Sequence, residues 1–530
     1  MYSERELKNI VTTYLETPEG RSLKDNFDLA RAPELIKIMQ NCAQRSRVFE
    51  ILCDMCRKDL RKENGIYFTP SSVSSYMAAE ALDMWCSKHP GYDRLKKIKV
   101  LDPACGNGEF LLTMLQLLVT KHLQFDPGLS GGKLIRQIIK NNLYGMDCNK
   151  NALEALIFNL ECMTGQTVDR RNFVHCDTLD FAEAAEIFPE IKKFDLVIGN
   201  PPYISYGMRN CGKLSRERAG ILRRRFPDSA EYKLTIYALF MEFALRSTAV
   251  NGIQSFIVPD SFLCGQYYSK IRNFMLKNSS FKKFLLLQKK LFRANTGTLV
   301  IYFVRKKKPL LRQKFQCALL DGKSGNFPPQ HFYTMEQAEL SSNFRQRFRL
   351  FFDPEVHRMV KRMEAEKVCK LGDILTLSSG LVAKNGKNSI VSTSPPPQKS
   401  GNWQKGISSS NAVTATQDVV WQQEYINIDP SGIKSGLGKA DYRQPKILIR
   451  QTGDRIISAV DENGLYVLNN LHIGTARDPQ TDLKALSHYL NSEEMRIYYQ
   501  SVTLEANRPM AQLDLETLRE LPLKDKFFRQ

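Results

Sequence analysis

No stretch of the 530-residue sequence is apolar for long enough to cross a bilayer, and Met1 to Glu19 is polar and amphipathic, without the apolar centre of a secretory leader. Neither a membrane span nor export is expected, and the twelve cysteines, which show no paired framework, fit a reduced, cytoplasmic setting. Cys53-Asp54-Met55-Cys56 has no second pair at zinc-like spacing, so it reads as structural and no metal is expected. Residues 1 to 60 lack a Pro-Asp followed by Glu/Asp-x-Lys, and a nuclease domain needs on the order of 100 residues, so cleavage is not expected either. Acidic charge is scarce: 56 Asp and Glu face 76 Lys and Arg, a net charge of +20. That imbalance suits a polyanionic partner, although charge alone does not separate DNA from RNA and a basic solubility surface gives the same count. With 42% hydrophobic residues, the chain is long enough for two or three domains.

What is present is more specific. Phe194-Asp195-Leu196-Val197-Ile198-Gly199 reads as a strand that ends in Asn200-Pro201-Pro202-Tyr203. This grouping suits an exocyclic amine. Such an amine is a poor nucleophile while its lone pair is delocalised into a ring, so a site that acts on it must accept its hydrogen bonds. Asn200 offers an acceptor oxygen, and a carbonyl within Pro201-Pro202 offers another on a backbone of fixed φ that supplies no competing N–H. Tyr203 adds a π-face for a flat base. Asn-Pro-Pro is also a good turn sequence, and an ordinary strand-end turn is the alternative.

About a hundred residues upstream, Lys97-Ile98-Lys99-Val100-Leu101 reads as a buried strand leading into Asp102-Pro103-Ala104-Cys105-Gly106-Asn107-Gly108 and then a helix from Glu109 to Leu123. The third glycine of a dinucleotide fingerprint is missing, so no pyrophosphate is expected on the helix N-terminus. The glycines admit close backbone approach, and Asp102 suits an ammonium group. Two further strand ends carry acids: Leu143-Tyr144-Gly145-Met146-Asp147, followed by a helix from Asn151 to Glu161, and Phe173-Val174-His175-Cys176-Asp177. Asp147 is placed for ribose hydroxyls and Asp177 for an adenine amine, while each alone reads equally as a helix cap. Strand ends at Asp102, Asp147, Asp177 and Asn200, separated by helices, predict one parallel sheet with its ligands at the carboxyl edge.

Gly65-Ile66-Tyr67-Phe68-Thr69-Pro70, then Asp-Pro-Ala-Cys-Gly-Asn-Gly, then Asn-Pro-Pro-Tyr, in that order, resembles the gamma class of adenine-specific DNA methyltransferases, the Taq-type enzymes, over about residues 60 to 310. The resemblance implies an α/β fold: a Rossmann-like sheet dependent on S-adenosyl-L-methionine, with a helical N-terminal extension and a strand-rich α+β C-terminal domain. It implies cofactor contacts from Tyr67, Thr69 and Pro70, from Asp102, Ala104, Cys105, Gly106 and Gly108, from Asp147 and Asp177, and from Asn200 at the border with the target base. It implies that Asn200, Pro201, Pro202 and Tyr203 hold the amine, and that Phe292, at the start of a final hairpin through Thr298 to Arg305, stacks on the opposite face of a flipped adenine. Asn251 to Leu263 looks like the family's next strand and turn. The implied partner is double-stranded DNA, with a possible restriction or specificity subunit, in a prokaryotic cytoplasm.

Boundaries follow as a helical extension over 1–60, a catalytic domain over 61–310, a linker over 311–365 and a target-recognition domain over 366–530. The helical extension rests on Glu4 to Leu15 and Ala32 to Leu60. Between 204 and 230, Arg209, Lys213, Arg216, Arg218, Arg223, Arg224 and Arg225 outnumber Glu217 and Asp228, so a basic loop is expected to clamp phosphates beside the site. In the last part, Leu371 to Ile374 is expected to open a strand-rich segment, Ser389 to Asn411 to form a mobile loop, and 446–450, 456–460 and 466–468 to form a β-meander. A helix from Leu483 to Gln500 follows. Two other readings stay open: another amine methyltransferase with Asn-Pro-Pro-Tyr, acting on ribosomal RNA or release-factor glutamine, and a DNA-binding specificity module whose catalytic half is vestigial.

Overall fold

Apolar runs ending at Asp102, Asp147, His175 and Gly199 form four parallel strands, β1 (Val100–Asp102), β2 (Leu143–Asp147), β3 (Phe173–His175) and β4 (Phe194–Gly199). Nearly every residue of β1, β2 and β4 is buried, as expected of central strands covered on both faces. The computed structural model describes residues 4–17, 69–164, 167–206, 214–288, 297–310, 312–321, 327–394, 402–506 and 511–524. It divides into two units, Met1–Phe348 and Arg349–Gln530.

In the first unit five more strands complete a nine-stranded sheet: β5 (Thr248–Pro259), β6 (Ser279–Leu287), β7 (Leu299–Lys306), β8 (Lys314–Leu320) and β9 (Tyr333–Glu336), in the order β9-β8-β6-β7-β5-β4-β1-β2-β3. β5 runs parallel to β4, β7 lies antiparallel between β5 and β6, and β9 closes the edge antiparallel to β8. The sheet is therefore mixed, and the expectation of an all-parallel sheet holds only from β3 to β5. The hairpin through Thr298 to Arg305 forms from β6 and β7 but is not the last: β8 and β9 lie within the stretch expected to be a linker, β8 pairing onto β6 and β9 onto β8. From β1 the chain moves to β2 and β3 on one side and returns to β4 on the other, so β1 and β4 flank the point where strand order reverses, the usual position of a ligand crevice.

Helices α1 (Glu4–Leu15), α2 (Ser71–Cys86), α3 (Glu109–Phe125), α4 (Gly131–Asn142), α5 (Lys150–Thr164), α6 (Arg216–Arg225), α7 (Ile236–Ser247) and α8 (Ser269–Asn278) belong to the same unit. The stretch Ala32 to Leu60, expected to be helical, and Cys53 and Cys56 lie outside the described residues. Val73, Met77, Leu82, Phe110, Met114 and Leu118 from α2 and α3 pack with Val100, Leu143 and Leu196 in one core. At the amino end of β4, Asp195 accepts from the Lys99 backbone N–H at 2.9 Å and from the Trp85 indole at 3.2 Å, which ties β4 to the lead-in of β1 and to α2. No helix among the described residues is long and apolar enough to cross a membrane.

The second unit holds two four-stranded sheets. Lys446–Arg450 and Ser458–Asp461 form the expected hairpin, but Tyr466–Val467 leaves it and pairs in parallel with Trp403–Ile407 in the other sheet, while Leu471–Ala476 returns to pair with Lys446–Arg450. The meander expectation is corrected accordingly: Leu465, Val467 and Leu468 bury their side chains against Leu381, Ile407 and Ile426, so packing overrides local sequence order. Leu371–Ile374 is a single helical turn before the strand Leu375–Ser379. Trp403–Ile407 is a strand within the stretch expected to be a mobile loop. The helix expected from Leu483 to Gln500 is two, Leu483–Leu490 and Glu493–Thr503. Asn491 breaks it by donating to the Ser458 and Ser487 carbonyls at 2.8 and 2.7 Å, and Ser492 then caps the second helix.

Candidate active site

At the end of β1 the chain must turn sharply into α3, and two glycines with positive φ make the turn, Gly106 at 53° and Gly108 at 93°. A Cβ on Gly108 would stand 2.2 Å from Leu156 Cδ1, so this glycine also lets the loop close on α5. A Cβ on Gly106 would meet nothing within 4 Å, so the loop leaves open space there. The Gly106 N–H donates to Asp147 Oδ2 at 2.8 Å, and the Cys105 N–H donates to the Met146 carbonyl at 2.9 Å. Thr178 Oγ1 donates to the Pro103 carbonyl at 2.6 Å. β2 and the turn after β3 thus hold the loop from its far side.

Asp102 is 1% exposed. Its Oδ1 accepts from the Ala104 N–H at 3.1 Å, while its buried Oδ2 has no hydrogen-bond partner among the described residues. Burial, with a smaller contribution from the Asp147 charge and against the Ala104 hydrogen bond, pushes its pKa up to about 8. A buried carboxylate oxygen without a donor is costly unless a ligand supplies one. An ammonium at that point supplies it, and the open space at Gly106 lies in the same loop, so the residues fit the amino-acid end of S-adenosyl-L-methionine.

The other two acids behave differently. Asp147 spends Oδ2 on Gly106 and Oδ1 on the Asn149 N–H at 2.7 Å, and burial raises its pKa. It is a clamp for the glycine loop in this structure, a role its sequence position did not reveal. Asp177 caps a short turn through the Leu179 N–H at 3.0 Å and pairs with Arg218 at 2.6 Å. Cys148 and Cys176 follow the ends of the neighbouring strands β2 and β3, and burial raises both thiols to about 11.

β4 delivers Asn200 beside β1. Its last residue is Gly199, where a Cβ would stand 2.6 Å from Asp102 Oδ1 and force that carboxylate to shift. The Asn200 amide donates to Thr69 Oγ1 at 3.1 Å, and Thr69 with Pro70 leads directly into α2. Ser74 of α2 donates to Glu109 of α3 at 3.0 Å, which joins the two helix beginnings that flank the site. Pro201 is buried, and Pro202 and Tyr203 are half-buried. Tyr203 donates to the Ile257 carbonyl at 3.1 Å and its ring meets the Tyr237 ring edge-on at 6.4 Å, so the ring is held at its tip and along one edge. Tyr67, Phe292, Arg209 and Lys213 lie outside the described residues. β6 ends at the same sheet edge as β4, and the connection from it to β7 carries Phe292.

The basic stretch is not a loop over 216–225 but helix α6, capped by Ser215. Arg218 pairs with Asp177 and Asp180, and Arg225 donates to the Leu179 carbonyl at 2.5 Å. These two arginines anchor α6 to the turn after β3, while Arg216, Arg223 and Arg224 are exposed. Sequence spacing gave no sign of this division, because the acids that recruit Arg218 stand about forty residues earlier.

The description Eco57I restriction-modification methylase matches residues 141–292, and TaqI-like C-terminal specificity domain matches residues 415–523. The chain carries a restriction-modification methylase domain and a TaqI-like specificity domain. It is 25% identical over 222 residues to the type II methyltransferase M.BanIII of Aneurinibacillus aneurinilyticus, an alignment covering 41% of this chain and 34% of that protein. It is 22% identical over 288 residues to the type II restriction enzyme and methyltransferase RM.Eco57I of Escherichia coli, covering 47% and 28%. The matched region spans about a third of the length of each relative. Among solved structures, the type IIL enzyme MmeI in complex with DNA superposes with a TM-score of 0.56 at 12% identity, covering 90% of this chain and 69% of that one. The type ISP enzyme LlaBIII bound to DNA gives 0.56 at 12% identity, covering 88% and 39%. These superpositions show a shared fold, and S-adenosyl-L-methionine is the cofactor that the methylase match implies.

Proposed function

We propose that the chain is a DNA methyltransferase of the restriction-modification type that methylates the N6 amine of an adenine flipped out of the duplex. One observation carries this reading: the strand-order reversal sets the Asp102 carboxyl, whose buried Oδ2 has no donor among the described residues, against Gly199, the residue before Asn200. A site for a cationic amino-acid group and a site for an amine are thereby adjacent, as direct transfer between the two requires.

Asp102, the Ala104-Cys105-Gly106 backbone and Gly108 would hold the amino-acid end of the cofactor, Asp147 keeps that loop in shape, and Asp177, just past the end of β3, would serve the adenosine. When bound, S-adenosyl-L-methionine supplies a methyl group activated on a sulfonium. Asn200 and a Pro201-Pro202 carbonyl accept the N–H groups of the amine and draw its lone pair out of the ring. Asn200 is an amide and no base, so the proton that the amine gives up would leave to water and not to Asn200. Thr69 fixes the Asn200 amide, and Tyr203, with Phe292 opposite, sandwiches the base. The second unit, with its TaqI-like specificity domain, reads the sequence.

Transfer of labelled methyl from S-adenosyl-L-methionine to duplex DNA, followed by nucleoside analysis, tests this. Label in N6-methyladenine is expected. Label in cytosine, RNA or a protein glutamine, with DNA adenine unlabelled, would overturn the assignment.

A further inference from the structure

Tyr232 and Tyr267 form an aromatic pair that methyl transfer does not use. Tyr232 is 81% exposed, and its ring lies 5.8 Å from that of Tyr267 at an angle of 36°. Lys233 Nζ sits 5.1 Å from the centre of the Tyr267 ring. The ledge is braced: Glu231 accepts from Ser269 Oγ at 3.1 Å and from the Lys270 N–H at 2.7 Å, and Lys270 Nζ donates to the Ala230 carbonyl at 3.1 Å. Arg223 of α6 donates to the Tyr232 carbonyl at 3.3 Å.

The ledge is joined to the catalytic tetrapeptide through rings. Tyr268, next to Tyr267, stacks on Tyr237 at 5.8 Å and 20°, and Tyr237 meets Tyr203 edge-on at 6.4 Å. Ser261 lies 2.7 Å from the Tyr237 hydroxyl, at the end of β5 next to the end of β4. The exposed Tyr232 ring and the half-buried Tyr267 ring therefore stand on the same sheet edge as Asn200, on two segments tied together by the hydrogen bonds of Glu231 and Lys270.

We propose that Tyr232 and Tyr267, with Lys233, form a stacking ledge for a nucleobase that has left the duplex stack near the target base. This rests on the DNA-methyltransferase reading. An exposed ring backed by a half-buried one, beside a lysine and in a chain of net charge +20, has the chemistry of a sequence-tolerant surface for unstacked nucleic acid. Extruding one base from a duplex frees the faces of its neighbours, which supplies the occupant.

The test uses the full chain and a duplex with a short single-stranded gap whose thymines are replaced by 5-iodouracil, which photocrosslinks to stacked aromatic rings, with the ungapped duplex as control. A crosslinked peptide containing Tyr232 or Tyr267 is expected. The pair Tyr232→Ala and Tyr267→Ala should weaken binding to the gapped duplex about fivefold or more, leaving ungapped binding within about twofold, and the corresponding Phe pair should bind like the parent. Crosslinks found only elsewhere, or gapped binding unchanged in the alanine pair, would overturn the ledge while methylation of duplex DNA persists. A parent protein that binds neither duplex would overturn the ledge together with the reading beneath it.

Discussion

Gly199 and Asp102 touch across the strand-order reversal, so close that a Cβ on Gly199 would stand 2.6 Å from Asp102 Oδ1. The last residue of β4 thus sets the position of the acid at the end of β1. Gly199→Ala should displace the Asp102 carboxylate and break its bond to Ala104. The dissociation constant for S-adenosyl-L-methionine should rise on the order of tenfold, equivalent to about one charge-assisted hydrogen bond, with the circular dichroism unchanged. Equilibrium dialysis with labelled cofactor checks it; affinity equal to the parent's would refute it.

The Asp102 carboxyl is raised from 3.8 to about 8, so between these values the folded chain holds a proton that the unfolded chain has released. Its contribution to stability is full below 3.8 and is lost as pH rises toward and past 8. Asp102→Asn should therefore flatten the fall in stability of the cofactor-free chain over that window. Binding of the ammonium group, which favours the ionised carboxylate, should release a proton below pH 8. Titration calorimetry in buffers of different ionisation enthalpy measures the release, and a buffer-independent heat at pH 7 would count against it.

Thr69→Val removes the acceptor that orients the Asn200 amide. The expected result is a kcat lower by roughly three- to tenfold with little change in cofactor affinity, and recovery in Thr69→Ser. Asn200→Ala should abolish turnover and spare cofactor binding. A rise in KM for the cofactor at constant kcat in Thr69→Val would instead make Thr69 a cofactor contact.

Arg216, Arg223 and Arg224 are the exposed cations of α6, whereas Arg218 and Arg225 hold the helix down. Changing the first three to Gln should weaken binding to all DNA sequences alike and lower the salt slope by up to about 0.9 for each phosphate no longer neutralised. Arg218→Ala should loosen α6 and expose it to protease. Titrations at several salt concentrations separate the two classes, and a changed sequence preference in the Gln variant would show that α6 reads bases.

In the second unit, Lys446 and Asp461 form a fully buried pair at 2.5 Å, completed by the Tyr442 carbonyl and by the Asn463 and Leu465 N–H groups. Removing one partner strands the other charge, so Asp461→Ala should cost about 3–5 kcal/mol. Chemical denaturation of the full chain, followed by a probe in the second unit, checks this. A loss under about 1 kcal/mol would mean that water reaches the site.

The site-bearing strands were legible because each is a short apolar run ending in, or just before, one residue with a chemical function: Asp102, Asp147 or Asn200. Their order along the chain carried the fold of that sheet. What stayed hidden depends on partners far apart in sequence. That the Asp147 oxygens also accept from the Gly106 and Asn149 N–H groups, beside the ribose contact expected of it, could not be read from its position after a strand. Arg218 read as a phosphate contact, yet it pairs with Asp177. β8 and β9 went unread because edge strands borrow their partners from a sheet already assembled, and Tyr466–Val467 changed sheets for the same reason.

Asp195 holds the Lys99 N–H and the Trp85 indole at the amino end of β4, opposite the chemistry. A slip of β4 by one residue against β1 would carry Asn200 about 3.3 Å along the sheet and turn its side chain to the other face. Asp195 opposes that slip from the closed end of the fold, as a tang fixes a blade in its handle. The loops at the open edge can thus vary while the position of Asn200 stays set.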